Sequence, residues 1–272
     1  MKKFVLTASV LLILAGVILM FASGRKPSAP SRQPSSETGR PSPAAALDFA
    51  RVPEGTPEQI VEYEGFRVSF NRDTHTANWV AWELLGSEAD GTVKRSDRFW
   101  QDPAVDGCPS LADYKGSGYD RGHLCPAADQ KWSVRAMEDC FSLANMAPQD
   151  HSLNAGAWAT LEEKERAWAR RDSAIVIIAG PVYGKGDTKR IGGSGVRVPG
   201  AFYKVIIAPY LDEPRGIGFV YPNMSSPGNM ANYAMPIDEV ERLTGIDFFY
   251  NLPDDLERRV ESEASFKEWD RR

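Results

Sequence analysis

The sequence predicts an α+β fold with an antiparallel central sheet flanked by helices. The β-branched run Ser173-Ala174-Ile175-Val176-Ile177-Ile178-Ala179-Gly180, closed by Pro181, is the mark of a buried central strand. Two alternating segments, 62–71 and 77–84, are separated by turn-forming residues and read as an antiparallel pair. Strand segments outnumber helical ones and do not alternate with them one for one, which argues against a parallel doubly wound sheet.

Taken in order, Met1-Lys2-Lys3 and the apolar run Phe4–Ala22 form a positive start followed by a hydrophobic segment, so residues 1–24 read as an export signal or a membrane anchor. Ala22-Ser23-Gly24 offers small residues for cleavage, while the run is also just long enough to span a bilayer. Residues 25–46, rich in Ser, Pro, Gly and Ala, cannot bury enough apolar surface to order themselves and form a linker. A folded domain is expected over 47–272.

Within it, 102–122 is dense in Pro, Gly, Ser and Asp and reads as an irregular loop, and Cys140–Met146 as a short apolar strand. Residues 154–171 lack Pro and carry good helix formers, predicting a helix of four to five turns. Segments 201–208 and 216–221 continue the sheet, and 236–243 is a helix stopped at Thr244-Gly245.

Composition narrows function. In 272 residues, 42% are hydrophobic and 25% charged, the balance of a protein with a sizeable core. The net charge of −5 argues against a basic protein that coats nucleic acid, because phosphate affinity grows with the number of neutralising cations. Any polyanion chemistry must rest on a local cluster. Cys108, Cys125 and Cys140 lack a C-x₂-C zinc pairing; export would permit a Cys108–Cys140 bridge, and Cys125 reads as a small buried apolar residue.

Among the three histidines, His123 has the most suggestive setting. It follows Asp120-Arg121-Gly122, where the glycine allows close approach and Arg121 offers a planar donor fork to an oxyanion. His75 and His151 lack such company. Asn154, Trp158, Glu162 and Arg166 fall at i, i+4, i+8 and i+12, one drifting stripe of a helix. The stripe is either an amphipathic surface with one Glu162–Arg166 pair, or a site in which Asn154 offers a neutral oxygen to a hard cation and Glu162 holds that cation's waters. Mg²⁺ keeps several waters and needs only one or two protein ligands.

Tyr119-Asp120-Arg121-Gly122-His123-Leu124-x-Pro126-x-x-Asp129, Asn145-Met146-x-Pro148-Gln149 and Asn154-x-x-x-Trp158-x-x-Leu161-Glu162 together resemble the DNA/RNA non-specific endonuclease family of the ββα-metal superfamily. Arg95-Ser96-Asp97-x-Phe99, Gly180-Pro181, Val198-Pro199-x-x-Phe202-Tyr203-Lys204 and Leu243-Thr244-Gly245-x-Asp247-Phe248 extend the resemblance over about residues 60–255.

The resemblance implies a ββα-metal active-site motif and assigns roles by position. His123 would be the general base that deprotonates an attacking water. Asn154 would bind a single Mg²⁺, with Mn²⁺ able to substitute, and Glu162 would orient the metal's waters. Arg95, Arg121 and Arg166 would surround the scissile phosphate, and Asn145 would be a further amide placing the histidine segment or the phosphate. The implied partners are DNA and RNA, held through the phosphate backbone, with a membrane engaged only through residues 4–22 if these are retained. The implied products carry 5′-phosphate ends, and the protein is expected outside the cytoplasm: secreted, periplasmic or anchored. A phosphodiesterase acting on small nucleotides and a catalytically idle nucleic-acid-binding module remain as alternatives.

Overall fold

The computed structural model describes residues 47–226 and 228–271, so the leader and linker expected over 1–46, including the apolar run 4–22, lie outside the described residues. Among the described residues no helix is long and apolar enough to cross a membrane. The strands are β1 (Ala50–Arg51), β2 (Gln59–Glu62), β3 (Arg67–Asn71), β4 (Thr76–Leu85), β5 (Asp120–His123), β6 (Met146–Gln149), β7 (Ala174–Val182), β8 (Arg190–Ile191), β9 (Val196–Arg197), β10 (Ala201–Ala208), β11 (Arg215–Pro222), β12 (Ala234–Met235) and β13 (Asp247–Phe248). The helices are α1 (Leu111–Tyr114), α2 (Val134–Asp139), α3 (Ala159–Asp172), α4 (Ile237–Thr244), α5 (Asp254–Ser262) and α6 (Phe266–Asp270).

Seven strands form the central sheet in the order β12-β11-β10-β7-β4-β3-β2, with antiparallel neighbours throughout. Its centre, β7, is apolar at nearly every position because both faces are covered. Ile175, Ile177 and Ala179 join one core cluster with Trp82, Phe202 and Phe219, while Val176 and Ile178 join a second with Trp79, Tyr203, Val205 and the α4 residues Ile237 and Val240. Pro181 is tolerated near the end of this strand because pairing with β4 stops at Ala179, so its missing N–H takes no bond from that side.

Several elements differ from the sequence expectation for identifiable reasons. The single strand expected over 62–71 is a hairpin, turned where Tyr63 N–H donates to the Phe66 carbonyl at 2.9 Å. Residues 140–146 are not a strand: Cys140 ends α2, residues 143–145 make a tight helical turn with Ser142 Oγ accepting from Ala144 N–H, and extended pairing begins only at Met146. The loop over 102–122 contains α1, started by a reciprocal Ser110–Asp113 capping box, and ends in β5. The helix expected over 154–171 is divided, with Leu153–Trp158 a wider π turn broken at Gly156 (φ −110°, ψ −109°) ahead of α3.

Strand β7 also admits no side chain at Gly180. A Cβ there would lie 2.5 Å from the backbone oxygen of Asn78 and 2.6 Å from Tyr203 Oη, whose hydroxyl donates to that same oxygen at 3.1 Å. Gly180→Ala is expected to destabilise the domain by about 1–3 kcal/mol through overpacking, read by urea denaturation, and an unchanged midpoint would contradict this packing.

Candidate active site

Asp120-Arg121-Gly122-His123 is not a loop but the strand β5, paired with β6 in a two-stranded ribbon in which Gly122 faces Ala147 and His123 faces Met146. Gly122 makes room for a side chain: a Cβ would fall 2.3 Å from Gln149 Oε1 and 2.5 Å from its Cβ. The ribbon is continued by Asn145, fully buried, whose Oδ1 accepts from Cys125 N–H while its Nδ2 donates to the carbonyls of Cys125 and Cys140, each at 2.9 Å. Asn145 therefore holds the chain just beyond His123 and lies outside the cleft described below.

The imidazole packs between two phenyl rings, with centroids 5.0 Å from Phe141 and 5.6 Å from Phe99. The guanidinium of Arg121 lies 4.2 Å from the Phe99 ring centroid and that of Arg95 4.9 Å from that of Phe141. Trp158 Nε1 donates to the His123 carbonyl at 3.3 Å. Burial, then the charges of Arg95 and Arg121, pull the His123 pKa down to about 3. The ring is consequently neutral across the physiological range, and its buried Nε2 has no hydrogen-bond partner.

Asn154, in the π turn, donates from Nδ2 to Asp120 Oδ2 at 2.8 Å, and His151 Nδ1–H donates to the same oxygen at 2.8 Å. With the amide nitrogen committed, the amide oxygen is the atom left to serve as a ligand. Glu162 lies in the first turn of α3 above a buried charge cluster. There, fully buried Lys204 of β10 donates to fully buried Glu165 at 2.7 Å, its Nζ lying 4.7 Å from the Trp158 ring centroid. Beside them Arg166 and Trp82 Nε1 donate to the two oxygens of buried Asp129 at 3.0 and 3.1 Å. Burial pushes the Glu162 carboxyl up to about 7, opposed by Lys204 and reinforced by Glu165 and Asp129.

A cleft of about 580 Å³ gathers Arg95, Phe99, Lys115, Asp120, Arg121, His123, Asn154 and Glu162 in its lining. Of the residues singled out from sequence, His123, Arg121, Arg95, Asn154 and Glu162 meet there. Arg166 does not: one turn beyond Glu162 it has rotated about 40° further round the helix and faces Asp129. The Glu162–Arg166 pair of the amphipathic reading is not formed, since Arg166 pairs with Asp129. Asp120, Lys115, Phe99, Phe141, Glu165 and Lys204 carried no role in the sequence reading. Asp120 was within reach of it, standing in the same motif as His123. The three cysteines are buried and unbridged, with no Cys108–Cys140 bond.

The donor set suits a hard, hydrated divalent cation: one amide oxygen, one carboxylate and an open polar cleft for waters, with no thiolate or histidine cluster. Such a cleft can bring a cation, a neutral imidazole and two guanidinium groups to bear on one phosphate group.

The model of the DNA/RNA non-specific endonuclease family matches residues 48–255. The chain is 33% identical over 215 residues to Nuclease C1 of Cunninghamella echinulata var. echinulata, spanning 73% of this chain and 85% of that protein. It is likewise 33% identical over 210 residues to the mitochondrial endonuclease G of Homo sapiens, spanning 71% and 70%. Among solved structures, the crystal structure of the EndoG/EndoGI complex superposes with a TM-score of 0.69 at 28% identity, covering 77% of this chain and 94% of that chain. The chain belongs to the DNA/RNA non-specific endonuclease family.

The charge cluster beneath Glu162 yields a stability prediction. Lys204→Met strands Glu165 as a buried lone carboxylate and is expected to cost about 3–5 kcal/mol in chemical denaturation at neutral pH. Glu165→Leu combined with Lys204→Met should recover most of that loss, since an apolar pair of similar volume is often neutral or stabilising. Additive losses in the double variant would rule out the pairing as described.

Proposed function

We propose that the protein is an exported, divalent-metal-dependent endonuclease that hydrolyses the phosphodiester bonds of both DNA and RNA to 5′-phosphate and 3′-hydroxyl ends. The observation that carries this reading is the meeting of a neutral imidazole (His123) with an amide and a carboxylate (Asn154, Glu162) in one cleft beside Arg95 and Arg121. Export rests on the positive, apolar leader in residues 1–24, followed by a linker over 25–46 and the nuclease domain over 47–272.

In this proposal His123 takes the proton from the water that attacks phosphorus in line with the leaving 3′ oxygen, which a neutral imidazole can do and an imidazolium cannot. The two phenyl rings fix its plane. Arg121 and Arg95 stabilise the negative charge that builds on the non-bridging oxygens. Asn154 would hold Mg²⁺, with Mn²⁺ as a substitute, through its amide oxygen, and Asp120 keeps that oxygen turned toward the cleft by binding the nitrogen. Glu162 would orient waters bound to that cation. When bound, the cation supplies charge for the departing oxygen and a source of the proton it needs. Contacts limited to the backbone carry no base information, which fits cleavage that is indifferent to sequence.

His123→Ala should lose about 10²–10⁴ in rate on plasmid DNA and on RNA with its fold intact by circular dichroism, and retention within about tenfold of wild type would defeat the assignment. EDTA should abolish cleavage, and a nitrophenyl diester turned over faster than polymer would favour a small-molecule phosphodiesterase instead.

The pH dependence has a defined sign. A raised carboxyl pKa means that Glu162 gains its charge only as pH rises through about 7, whereas His123 is already neutral above about 3. At subsaturating Mg²⁺, apparent metal affinity should therefore increase through neutrality and flatten in Glu162→Gln. An inflection unchanged by that substitution would assign the titration to another group.

A further inference from the structure

On the sheet face carrying the second core cluster, Asp238 and Glu241 occupy one side of α4, and Glu261 reaches them from the last turn of α5. One carboxylate oxygen from each lies within 4.8 Å of the other two. Asp238 is exposed and Glu241 half-buried, but Glu261 is only 4% exposed, and its Oε1 is buried without a hydrogen-bond partner.

None of the three carboxylates has a basic partner among the described residues. Neighbouring Arg242 pairs with Glu239, and Arg51 pairs with Asp247 while lying over the Tyr250 ring. Glu241 is held by one bond, Oε1 accepting from Phe248 N–H at 2.8 Å. Asp247 and Glu257 add further negative charge. Burial, then these surrounding acids, push the Glu261 carboxyl up to about 9 and that of Glu241 up to about 7.

Arg258 and Arg51 act on neighbouring Glu257, but the charges that weigh on Glu261 are those of acids, and a buried acid with an idle oxygen in that setting is costly unless a proton or a cation occupies the space. Oxygens bound to a common Ca²⁺ at about 2.3–2.6 Å can stand up to roughly 5 Å apart, which the observed spacing satisfies, and the open Asp238 side leaves room for water ligands. We infer that Asp238, Glu241 and Glu261 form a second divalent-cation site, of a size that accepts Ca²⁺, that clamps α4 to α5. None of the three lines the cleft that contains Asn154. The two helices also meet at β11, where a Cβ on Gly216 would strike the Val260 carbonyl at 2.3 Å and Ile237 Cδ1 at 2.7 Å, so a clamp between them acts on the seating of both against the sheet.

The test uses the Asn154→Ala protein, in which the cleft's own amide ligand is absent, titrated with CaCl₂ at pH 7.5. Calorimetry should show one site, and the thermal midpoint should rise by about 5–10 °C at Ca²⁺ a hundredfold above its dissociation constant. Adding Glu261→Gln should raise the midpoint without Ca²⁺, because folding no longer has to protonate a carboxyl that is ionised in the unfolded chain, and abolish the response to Ca²⁺. Asp238→Asn should weaken Ca²⁺ binding while leaving the midpoint without Ca²⁺ nearly unchanged. Absence of any Ca²⁺ response, or an equal response after Glu261→Gln, would overturn the site. Because the readouts are heat and midpoint, loss of nuclease activity in the background variant does not bear on them.

Discussion

The buried pair between Lys204 and Glu165 is the interaction on which the catalytic side of the molecule depends. It joins the middle of the sheet to the second turn of α3, and its ammonium is flanked by the rings of Trp158 and Trp82. A lysine with no exposed surface survives there only because a carboxylate meets it and aromatic faces receive the rest of its charge. Everything that brings Glu162 to the cleft is built on this post: the axis of α3, the height of its first turn and the positive charge beneath it. Asp129 performs a parallel task for the other flank, tying Arg166 of the helix to Trp82 of the sheet.

Much of this was legible from the chain because the relevant signals are local. The alternation of β3 and β4, the β-branched run of β7 and the turn residues between strands are patterns of a few neighbouring residues. The stripe of Asn154, Trp158 and Glu162 was likewise visible as a helical repeat, although the helix is interrupted. Across the π turn Asn154 and Glu162 still come to line one cleft, while Trp158 is buried beside it, so the repeat grouped residues that the fold brings together although the geometry is not that of a regular helix.

What escaped is what depends on partners far along the chain. Asp120 and Asn154 are 34 residues apart, and Lys204 and Glu165 are 39 apart; no spacing rule connects them. Cys140–Met146 looked like a strand because it is apolar, yet its burial comes from packing under the sheet, and the side chains of Ser142 and Asn145 bend it into a turn. Helices α5 and α6 carry so few apolar residues, Leu256, Val260, Phe266 and Trp269 among them, that only the surface they cover makes them helices worth forming.

The cleft's cationic rim belongs to a chain whose formal charge is −5. Arg95, Lys115 and Arg121 gather positive charge at the cleft, against an excess of acidic charge over the chain as a whole. A strand can touch down productively at the cleft without being gripped along its length, and each cut leaves two shorter ends with fewer phosphates in reach of Arg95, Lys115 and Arg121. In the proposed reaction, the same charge distribution that admits the polymer would also favour departure of the shorter pieces.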